Sequence, residues 1–343
     1  MKIIPLGNTG YKVSRIGFGG IPISRLEYAT GVKVVHSCID MGVNFIDTAV
    51  AYKDSEIKIG EAISDHDIIV ATKSQSRDAA GMEKDVFASL SRMNVDFIHI
   101  YQLHGINNPG LLETVMAKGG ALEALKKMKE EGHIGAIGIT GHRADVLVDA
   151  LKTGEFETVQ VPYNYIETEP EKELFPFARK MGTGIIAMKP FGGGMLDNAN
   201  LSIKYILNQE NVVPIPGIEK IEEIQEICSI IDRDITLSEI EKKQISKISN
   251  ELDKNFCRRC GYCMPCPQDI QIIRAMNAKA SIKRLGAKSF FNDKGKEIHE
   301  RMKTCTKCGQ CETRCPYNLH IRSSIEKNVE YLEGIASNLR FSE

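Results

Sequence analysis

The stretch ALEALKKMKEEGHIGAIGIT, residues 121–140, joins an amphipathic helix to a run of apolar and small residues. In its first half, Leu122, Leu125 and Met128 recur at the spacing of one helix face, and lysines and glutamates fill the opposite face. The second half is typical of a buried β-strand. A helix followed at once by such a strand predicts an α/β protein with a parallel sheet.

The same alternation continues in both directions from this stretch. Eight apolar runs alternate with helical stretches, and they lie at 13–19, 43–49, 67–73, 96–103, 133–140, 157–163, 183–189 and 211–217. This pattern predicts a (β/α)8 TIM barrel. A doubly wound open sheet is the alternative, but the glycines after the first run do not form the GxGxxG fingerprint of that fold.

Composition argues against several classes of protein. The formal net charge of the 343 residues is −1, which gives no general attraction to nucleic acid. No run approaches the roughly 18 apolar residues of a membrane span, and the first residues lack the apolar core of a signal peptide. Ten cysteines in such a chain favour a reducing compartment, the cytoplasm, and metal ligation rather than disulfides.

Eight of the ten cysteines form two runs, each followed by proline. The first is CRRCGYCMPCP at 257–267, and the second is CTKCGQCETRCP at 305–316. The second fits the C-x2-C-x2-C-x3-C-P spacing of two-cluster ferredoxins, and the first is one residue short before its last cysteine. Two four-thiolate zinc sites are the alternative, but these usually use separated CxxC pairs. The spacing therefore favours two [4Fe–4S] clusters.

In the ferredoxin pattern, the fourth cysteine of each run ligates the other cluster. One expected ligand set is Cys257, Cys260, Cys263 and Cys315. The other is Cys305, Cys308, Cys311 and Cys266. The region resembles the α-helical two-cluster ferredoxins of respiratory iron–sulfur subunits, because the spacer between the runs is long and helical in pattern. The excess of basic residues in 250–343 would offset the negative charge of such clusters.

Four reactive side chains stand at or just beyond the C-terminal ends of consecutive predicted strands. They are Asp47, Tyr52, Lys73 and His104. Strand C-terminal ends converge at one mouth of a TIM barrel, where active sites are built. There a lysine ammonium would lower the pKa of a tyrosine phenol, an aspartate would hold the lysine, and a histidine would orient a substrate oxygen. Such a set can protonate a carbonyl oxygen as a hydride reaches its carbon.

The motifs DTAVAY at 47–52, ATK at 71–73 and YQLH at 101–104 resemble the aldo-keto reductase family in order and spacing. The resemblance covers roughly the first two thirds of the chain. It implies an oxidoreductase that transfers hydride reversibly between NAD(P)H and a small carbonyl or alcohol substrate, with these four residues as catalysts. The expected domains are a barrel at 1–235, a helical connector at 236–252 and an α-helical ferredoxin-like domain at 253–343.

The resemblance also implies a nicotinamide cofactor across the barrel mouth. The matching cofactor-binding positions are Gly20, Ile21, Asp47, Thr140, Gly141, Gln160, Met188, Lys189, Phe191, Gly192, Gly217 and Glu226. Met188 stands where many members stack an aromatic ring on the nicotinamide. Glu223 falls near an arginine of NADP-binding members, and its carboxylate would repel a phosphate, so NADH is slightly favoured over NADPH. No sequence feature indicates a flavin, although the glycine-rich loop after the seventh strand could host a flavin phosphate.

The two halves differ in how they handle electrons. A nicotinamide gives two electrons as one hydride, whereas a [4Fe–4S] cluster passes one at a time. One hypothesis is an aldo-keto reductase whose clusters stabilise the fold or connect it to a ferredoxin-type carrier. The alternative is an electron-transfer or redox-sensing protein that uses the barrel as a platform for a nucleotide or flavin. The complete set of four catalytic residues favours the first hypothesis.

Overall fold

A computed structural model describes residues 1–252 and 254–340, apart from the side chains at 283–285, 288–289 and 338–340. Asp253 and residues 341–343, which the predicted ferredoxin-like domain includes, lie outside the described residues. The chain forms two compact units. The first comprises Met1–Gly192 and Asn198–Ser238, and the second comprises Gly193–Asp197 and the chain from Glu239 onward.

Eight parallel strands form the sheet of the first unit. They are β3 (Phe18–Gly19), β4 (Phe45–Asp47), β5 (Ile69–Ser74), β6 (Ile98–Leu103), β7 (Ile134–Thr140), β8 (Thr158–Pro162), β9 (Gly184–Met188) and β10 (Val212–Ile215). Each pairs with its neighbours in chain order. The Gly17 and Gly19 amides donate to the Pro214 and Pro216 carbonyls, which joins the first strand of the sheet to the last. The sheet is therefore a closed barrel, and the predicted (β/α)8 fold is confirmed.

Helices follow the strands and cover the outside of the barrel. They are α1 (Tyr28–Asp40), α2 (Ser55–Ile63), α3 (Ala79–Met93), α4 (Pro109–Met116), α5 (Ala121–Glu130), α6 (Ala144–Lys152), α7 (Leu174–Met181), α8 (Ala199–Leu207) and α9 (Ile221–Ile231). Two short 3-10 helices lie at Pro22–Arg25 and Glu169–Glu171. The apolar faces of the long helices and the outward side chains of the strands form the main core.

The first predicted strand, at 13–19, is wrong in its extent. Its start belongs to a hairpin in which β1 (Ile3–Pro5) pairs antiparallel with β2 (Lys12–Ser14). The Ser14 hydroxyl donates to the Ile16 carbonyl, and the Asn44 side chain accepts from the Ser14 amide. One of these bonds is local and the other reaches a residue 30 positions away, and together they turn the chain before β3. The apolar pattern alone does not reveal this effect.

The hairpin lies at the N-terminal end of the barrel. Leu6 and Val13 pack with the inward side chains of the strands, among them Phe45, Ile100 and Ile186. The Cβ of any residue at Gly7 would lie 2.3 Å from the amide nitrogen of Gly184, where β9 begins. The hairpin therefore packs against the interior from below, and the loops at the C-terminal ends of the strands form the opposite mouth.

The second unit is helical where the structure describes it. Its helices are α10 (Glu239–Leu252), α11 (Ile272–Met276), α12 (Ala278–Leu285), α13 (Ala287–Phe290), α14 (Asp293–Lys303), α15 (Gln310–Thr313) and α16 (Ile321–Arg340). A separate core of isoleucines, leucines and cysteines packs the helices after α10 together. Within the described ranges, no helix is both long enough and apolar enough to span a bilayer.

Candidate active site and cluster sites

The predicted acid and ammonium form a buried ion pair at the barrel mouth. Asp47 is the last residue of β4, and Lys73 lies near the end of the adjacent strand β5. The Lys73 Nζ donates to Asp47 Oδ2 at 2.6 Å and to the Thr48 carbonyl at 2.6 Å. The two side chains are only 1% and 4% exposed. Asp47 and the backbone therefore fix the position of the ammonium.

Tyr52 and His104 complete the group of four. The Lys73 Nζ lies 5.2 Å from the centre of the Tyr52 ring. The rings of Tyr52 and His104 meet edge to face, with centres 6.2 Å apart. Tyr52 is half-buried, so part of its side chain faces solvent. Residues from three strand ends and their loops thus meet in one place.

Opposing effects act on the Asp47 carboxyl. Burial raises its pKa, whereas the Lys73 ammonium and hydrogen bonds from Gln160 and Gln102 lower it. A carboxylate in an apolar interior needs such partners to remain charged. The Asp47 carboxylate therefore needs Lys73 to remain charged, and Lys73 needs Asp47 to hold its position.

His104 is held neutral. Burial lowers its pKa to about 3, and the positive charges of Lys73, Arg77 and Lys189 add to that shift. Its amide donates to the Ser74 carbonyl, and Arg77 donates to the His104 carbonyl at 2.8 Å. Its Nδ1 atom is buried and has no hydrogen-bond partner among the residues that the structure describes. A neutral imidazole here can share a hydrogen bond with a ligand oxygen without titrating near pH 7.

Sequence reasoning missed Gln102, which connects two parts of the site. Its Nε2 donates to Asp47 Oδ1 at 3.2 Å and to Gln160 Oε1 at 3.0 Å. All three side chains are buried. The available signal was strand alternation, because Gln102 stands two residues before His104 and so shares its face of the strand.

Most positions expected to bind the cofactor surround the same mouth. Thr140 ends β7, Gln160 lies in β8, and Met188 ends β9. Gly20 follows β3, and Gly217 follows β10 and pairs with Gly19. Phe191 and Gly192 lie in the loop after β9, and Ile21 immediately precedes the first 3-10 helix. Glu226 lies apart from the strand ends, on the exposed side of α9.

This set of groups fits a nicotinamide nucleotide. Gln160 offers a buried amide, and Met188 offers a half-buried apolar surface. A side chain at Gly141 would come within 2.4 Å of the Ile106 carbonyl, so glycine here lets the loops after β6 and β7 pack closely. Gly192 adopts a left-handed φ of 56°, which glycine tolerates, and this allows close backbone approach.

The acidic residues after β10 are already engaged. The Glu223 carboxylate accepts from the amides of Glu219 and Lys220 at 2.8 and 3.1 Å, which caps α9. Glu219 forms an ion pair with Arg25 at 2.5 Å. A negative carboxylate thus occupies this helix start, where a phosphate could otherwise bind.

Two cavities of the second unit are each lined by four cysteines. One is lined by Cys257, Cys260, Cys263 and Cys315. The other is lined by Cys266, Cys305, Cys308 and Cys311. In both, the first three cysteines of one run stand with the last cysteine of the other. The remaining two, Cys38 and Cys228, lie in helices of the barrel unit.

The cavities fit iron–sulfur clusters by their donor sets. In the described ranges, no three His, Cys, Asp or Glu side chains are arranged to hold a single metal ion. Four sulfurs around a cavity suit the corners of a cuboidal cluster better than one zinc ion. Burial, together with the neighbouring thiols, raises the pKa of Cys263 to about 12. Bound iron would therefore be needed to stabilise its thiolate.

Comparisons with known proteins match both parts of the chain. The model of the aldo/keto reductase family matches residues 15–202, and a 4Fe-4S dicluster domain model matches residues 256–320. The chain is 27% identical over 271 residues to the NADH-specific methylglyoxal reductase of Escherichia coli (strain K12). This match covers 67% of this chain and 81% of that protein. It is 31% identical over 217 residues to the L-galactose dehydrogenase of Arabidopsis thaliana, covering 57% and 67%.

Among solved structures, the chain is similar to an aldo-keto reductase from Bacillus halodurans in its holo form. The TM-score is 0.63 at 25% identity, and the match covers 72% of this chain and 96% of that one. The similarity therefore takes in nearly the whole of the other protein and leaves part of this chain without a counterpart.

Proposed function

The chain belongs to the aldo-keto reductase family and carries a 4Fe-4S domain at its C-terminus, and from this premise we propose that its barrel transfers hydride reversibly between NAD(P)H and a small carbonyl or alcohol substrate. The observation that carries the proposal is the meeting of Asp47, Tyr52, Lys73 and His104 at the barrel mouth. No single one of these residues is diagnostic. Their convergence supports the acid–base function that carbonyl reduction needs.

In this proposal, Tyr52 gives a proton to the carbonyl oxygen and receives it back in the reverse direction. The Lys73 ammonium, 5.2 Å from the ring centre, stabilises the phenolate by Coulomb attraction. Asp47 holds that ammonium in place. Neutral His104 orients the substrate oxygen, and its low pKa keeps it from competing as an acid.

The cofactor would supply the hydride. Thr140 and Gln160 would hold its carboxamide, Met188 would contact its ring, and Lys189 and the backbone of Gly192 would contact its phosphates. Gly20, Ile21, Phe191, Gly217 and Glu226 are proposed contacts from the resemblance. NADH is favoured over NADPH, because the Glu223 carboxylate caps α9 and Arg25 is paired with Glu219. The E. coli relative, named as NADH-specific, agrees with this preference.

The second unit is proposed to hold two [4Fe–4S] clusters on the two crossed cysteine sets. They would supply one-electron transfer, and a ferredoxin-type carrier is the proposed partner. Ligation by thiolates requires a reducing compartment, which supports the cytoplasm. The proposed domains remain a barrel at 1–235, a connector at 236–252 and a cluster domain at 253–343.

The decisive test is Tyr52→Phe, which removes the proton donor and keeps the ring. With NADH and a panel of aldehydes, kcat is expected to fall by about 10²- to 10⁴-fold, with cluster absorbance and EPR spectra retained. Tyr28→Phe is the matched control, because Tyr28 is an exposed residue of α1 bonded to Glu61. Unchanged aldehyde reduction in Tyr52→Phe would contradict the proposal.

A second candidate function is electron transfer or redox sensing, with the barrel as a nucleotide or flavin platform. The two cysteine-lined cavities favour it, since a simple carbonyl reductase does not need them. The discriminating measurement is an anaerobic titration of the purified protein with NADH and then NADPH, followed by EPR. Cluster reduction by nucleotide that persists in Tyr52→Phe supports this candidate, and clusters that only dithionite reduces count against it.

A further inference from the structure

Three buried side chains from different strands bond to one another inside the barrel. They are Asp47 on β4, Gln102 on β6 and Gln160 on β8. The Gln102 Nε2 atom donates to Asp47 Oδ1 at 3.2 Å and to Gln160 Oε1 at 3.0 Å. A hydrogen bond from Gln160 also reaches the Asp47 carboxylate. Because none of the three side chains is more than 3% exposed, bulk water does not compete for these bonds.

The charge of Asp47 decides the direction of both amides. A carboxylate oxygen only accepts hydrogen bonds, so Gln102 must turn its NH2 group toward Asp47. The second hydrogen of that group goes to Gln160, and the atom that receives it must be the Gln160 oxygen. The NH2 group of Gln160 is then the donor of its side chain. A reversed Gln102 amide is excluded, because it would set two oxygens 3.2 Å apart against a buried negative charge.

The same arrangement leaves the Gln102 oxygen unsatisfied. Gln102 Oε1 and Thr158 Oγ1 are both buried and have no hydrogen-bond partner among the residues that the structure describes. Both face Gly138 of β7, where a Cβ would lie 3.3 Å from Gln102 Oε1 and 2.3 Å from Thr158 Oγ1. A buried acceptor without a partner destabilises a fold. The two bonds that Gln102 donates to Asp47 and Gln160 therefore outweigh this cost.

Gln160 lies beside Thr140, the other residue expected to hold the nicotinamide carboxamide. The two residues pair in the register of β7 and β8. An amide side chain has a donor end and an acceptor end, so its direction determines which group of a ligand it recognises. With its oxygen bonded to Gln102, Gln160 offers its NH2 group as the donor. A donor at this position selects a carbonyl oxygen.

We propose that Gln102 is a positioning residue that fixes the direction of the Gln160 amide through the charge of Asp47, so that Gln160 donates to the carbonyl oxygen of the nicotinamide carboxamide. Gln102 acts through its two neighbours and does not itself contact the cofactor. The inference rests on the proposed nicotinamide cofactor, and it deepens that function by naming the residue that orients the contact. It also links the Asp47–Lys73 pair to the place where the hydride donor would bind.

The test compares NAD+ with its thionicotinamide analogue, in which sulfur replaces the carboxamide oxygen. Sulfur is a weaker hydrogen-bond acceptor than oxygen, and the rest of the nucleotide is unchanged. Calorimetry on the cluster-loaded protein gives both dissociation constants, so no turnover is needed. Gln102→Met removes both donors and keeps an unbranched side chain of similar size. Gln102→Glu keeps the shape of the side chain, but it has at most one hydrogen to donate, and the Asp47 carboxylate takes it.

The wild-type protein should bind NAD+ about 3- to 10-fold more tightly than the thio analogue, which is the contribution of one hydrogen bond. Both Gln102 variants should reduce this ratio toward one, and so should Gln160→Met. The double variant Gln102→Met/Gln160→Met should have the same ratio as Gln160→Met alone, because Gln102 acts on the carboxamide only through Gln160. Gln209→Met is the matched control and should leave the ratio unchanged, because Gln209 accepts from Arg179 at the opposite end of the barrel.

A preference for NAD+ that persists in both Gln102 variants overturns the inference. Equal binding of the two nucleotides by the wild-type protein overturns it too, as does a lack of binding of either one. Failure of the proposed hydride transfer is a separate result, because it appears as an absence of Tyr52-dependent aldehyde reduction in a protein whose nucleotide ratios follow the expected pattern.

Discussion

The barrel mouth and the cysteine-lined cavities differ in how far apart along the chain their residues lie. In each cavity, three sulfurs come from one short run, and only the fourth comes from the distant run. At the mouth, Asp47, Lys73 and His104 come from separate strands, with a helix between each pair. Closing the barrel brings them together, so the loss of one member has different consequences in the two places.

Each cavity has three cysteines from one run and a fourth from the other run. Removal of the fourth cysteine therefore tests the crossed arrangement directly. Cys315→Ala is expected to abolish the same EPR signal as Cys260→Ala and to halve the iron content, because a [4Fe–4S] cluster is poorly held by three thiolates. Cys308→Ala should abolish the other signal. Cys228→Ala, outside both runs, should leave both signals. If Cys315→Ala and Cys308→Ala abolished the same signal, the crossed arrangement would be wrong.

At the mouth, the buried ion pair should carry a large energetic cost when broken. Lys73→Met leaves the Asp47 carboxylate buried without its ammonium, and a loss of about 3–5 kcal/mol in the free energy of unfolding is expected. Urea unfolding followed by circular dichroism measures this. The control is Lys127→Met, since Lys127 is exposed and pairs with Glu83 on the barrel surface. If both variants lost the same free energy of unfolding, the buried pair would stabilise the fold no more than the exposed pair does.

His104 should make stability depend on pH in a defined direction. Its folded pKa of about 3 lies below the unfolded value of about 6.5, so the unfolded chain binds a proton that the folded chain does not. The free energy of unfolding should therefore fall by about 1.4 kcal/mol per pH unit as the pH decreases from about 6.5 toward 3. Above a pH of about 6.5, the stabilising contribution of His104 should be complete. At pH 5 the loss is about 2 kcal/mol.

The measurement compares wild-type protein with His104→Gln in urea at pH 5 and pH 8. Burial also lowers the pKa of half-buried His99 and of buried His299, but both are present in the two proteins, so their effects cancel in the difference. If the difference in unfolding free energy between the two proteins were the same at both pH values, the pKa of His104 would not be lowered in the folded protein.

The smallest expected effect concerns the choice of nucleotide. Glu219→Gln would release Arg25 from its ion pair, and the freed guanidinium could then approach the 2′-phosphate of NADPH. The affinity for NADPH should increase, but by less than about tenfold, because exposed charge pairs contribute little in water. NADH binding should not change. Glu222→Gln, an exposed neighbour in the first turn of α9, is the control, and fluorescence titration gives both affinities.

The strands of the barrel were largely predictable because each is a short apolar run between helical stretches. The exception was 13–19, where one continuous apolar pattern covers both a hairpin strand and a barrel strand. The turn between them depends on Asn44, which contacts Ser14 only after the barrel has formed. Hydrophobic periodicity contains no information about such a long-range hydrogen bond.

Local patterns in the sequence were enough to predict the alternation of strands and helices, the two cysteine runs and the four reactive residues at strand ends. These are local properties, since a residue's neighbours along the chain set its periodicity and its place on a strand. The folded structure was needed to show that Gln102 joins Asp47 to Gln160, and that Lys189 contacts His142. Those contacts join different strands and loops, so they exist only when closure of the sheet brings distant parts of the chain within hydrogen-bond distance.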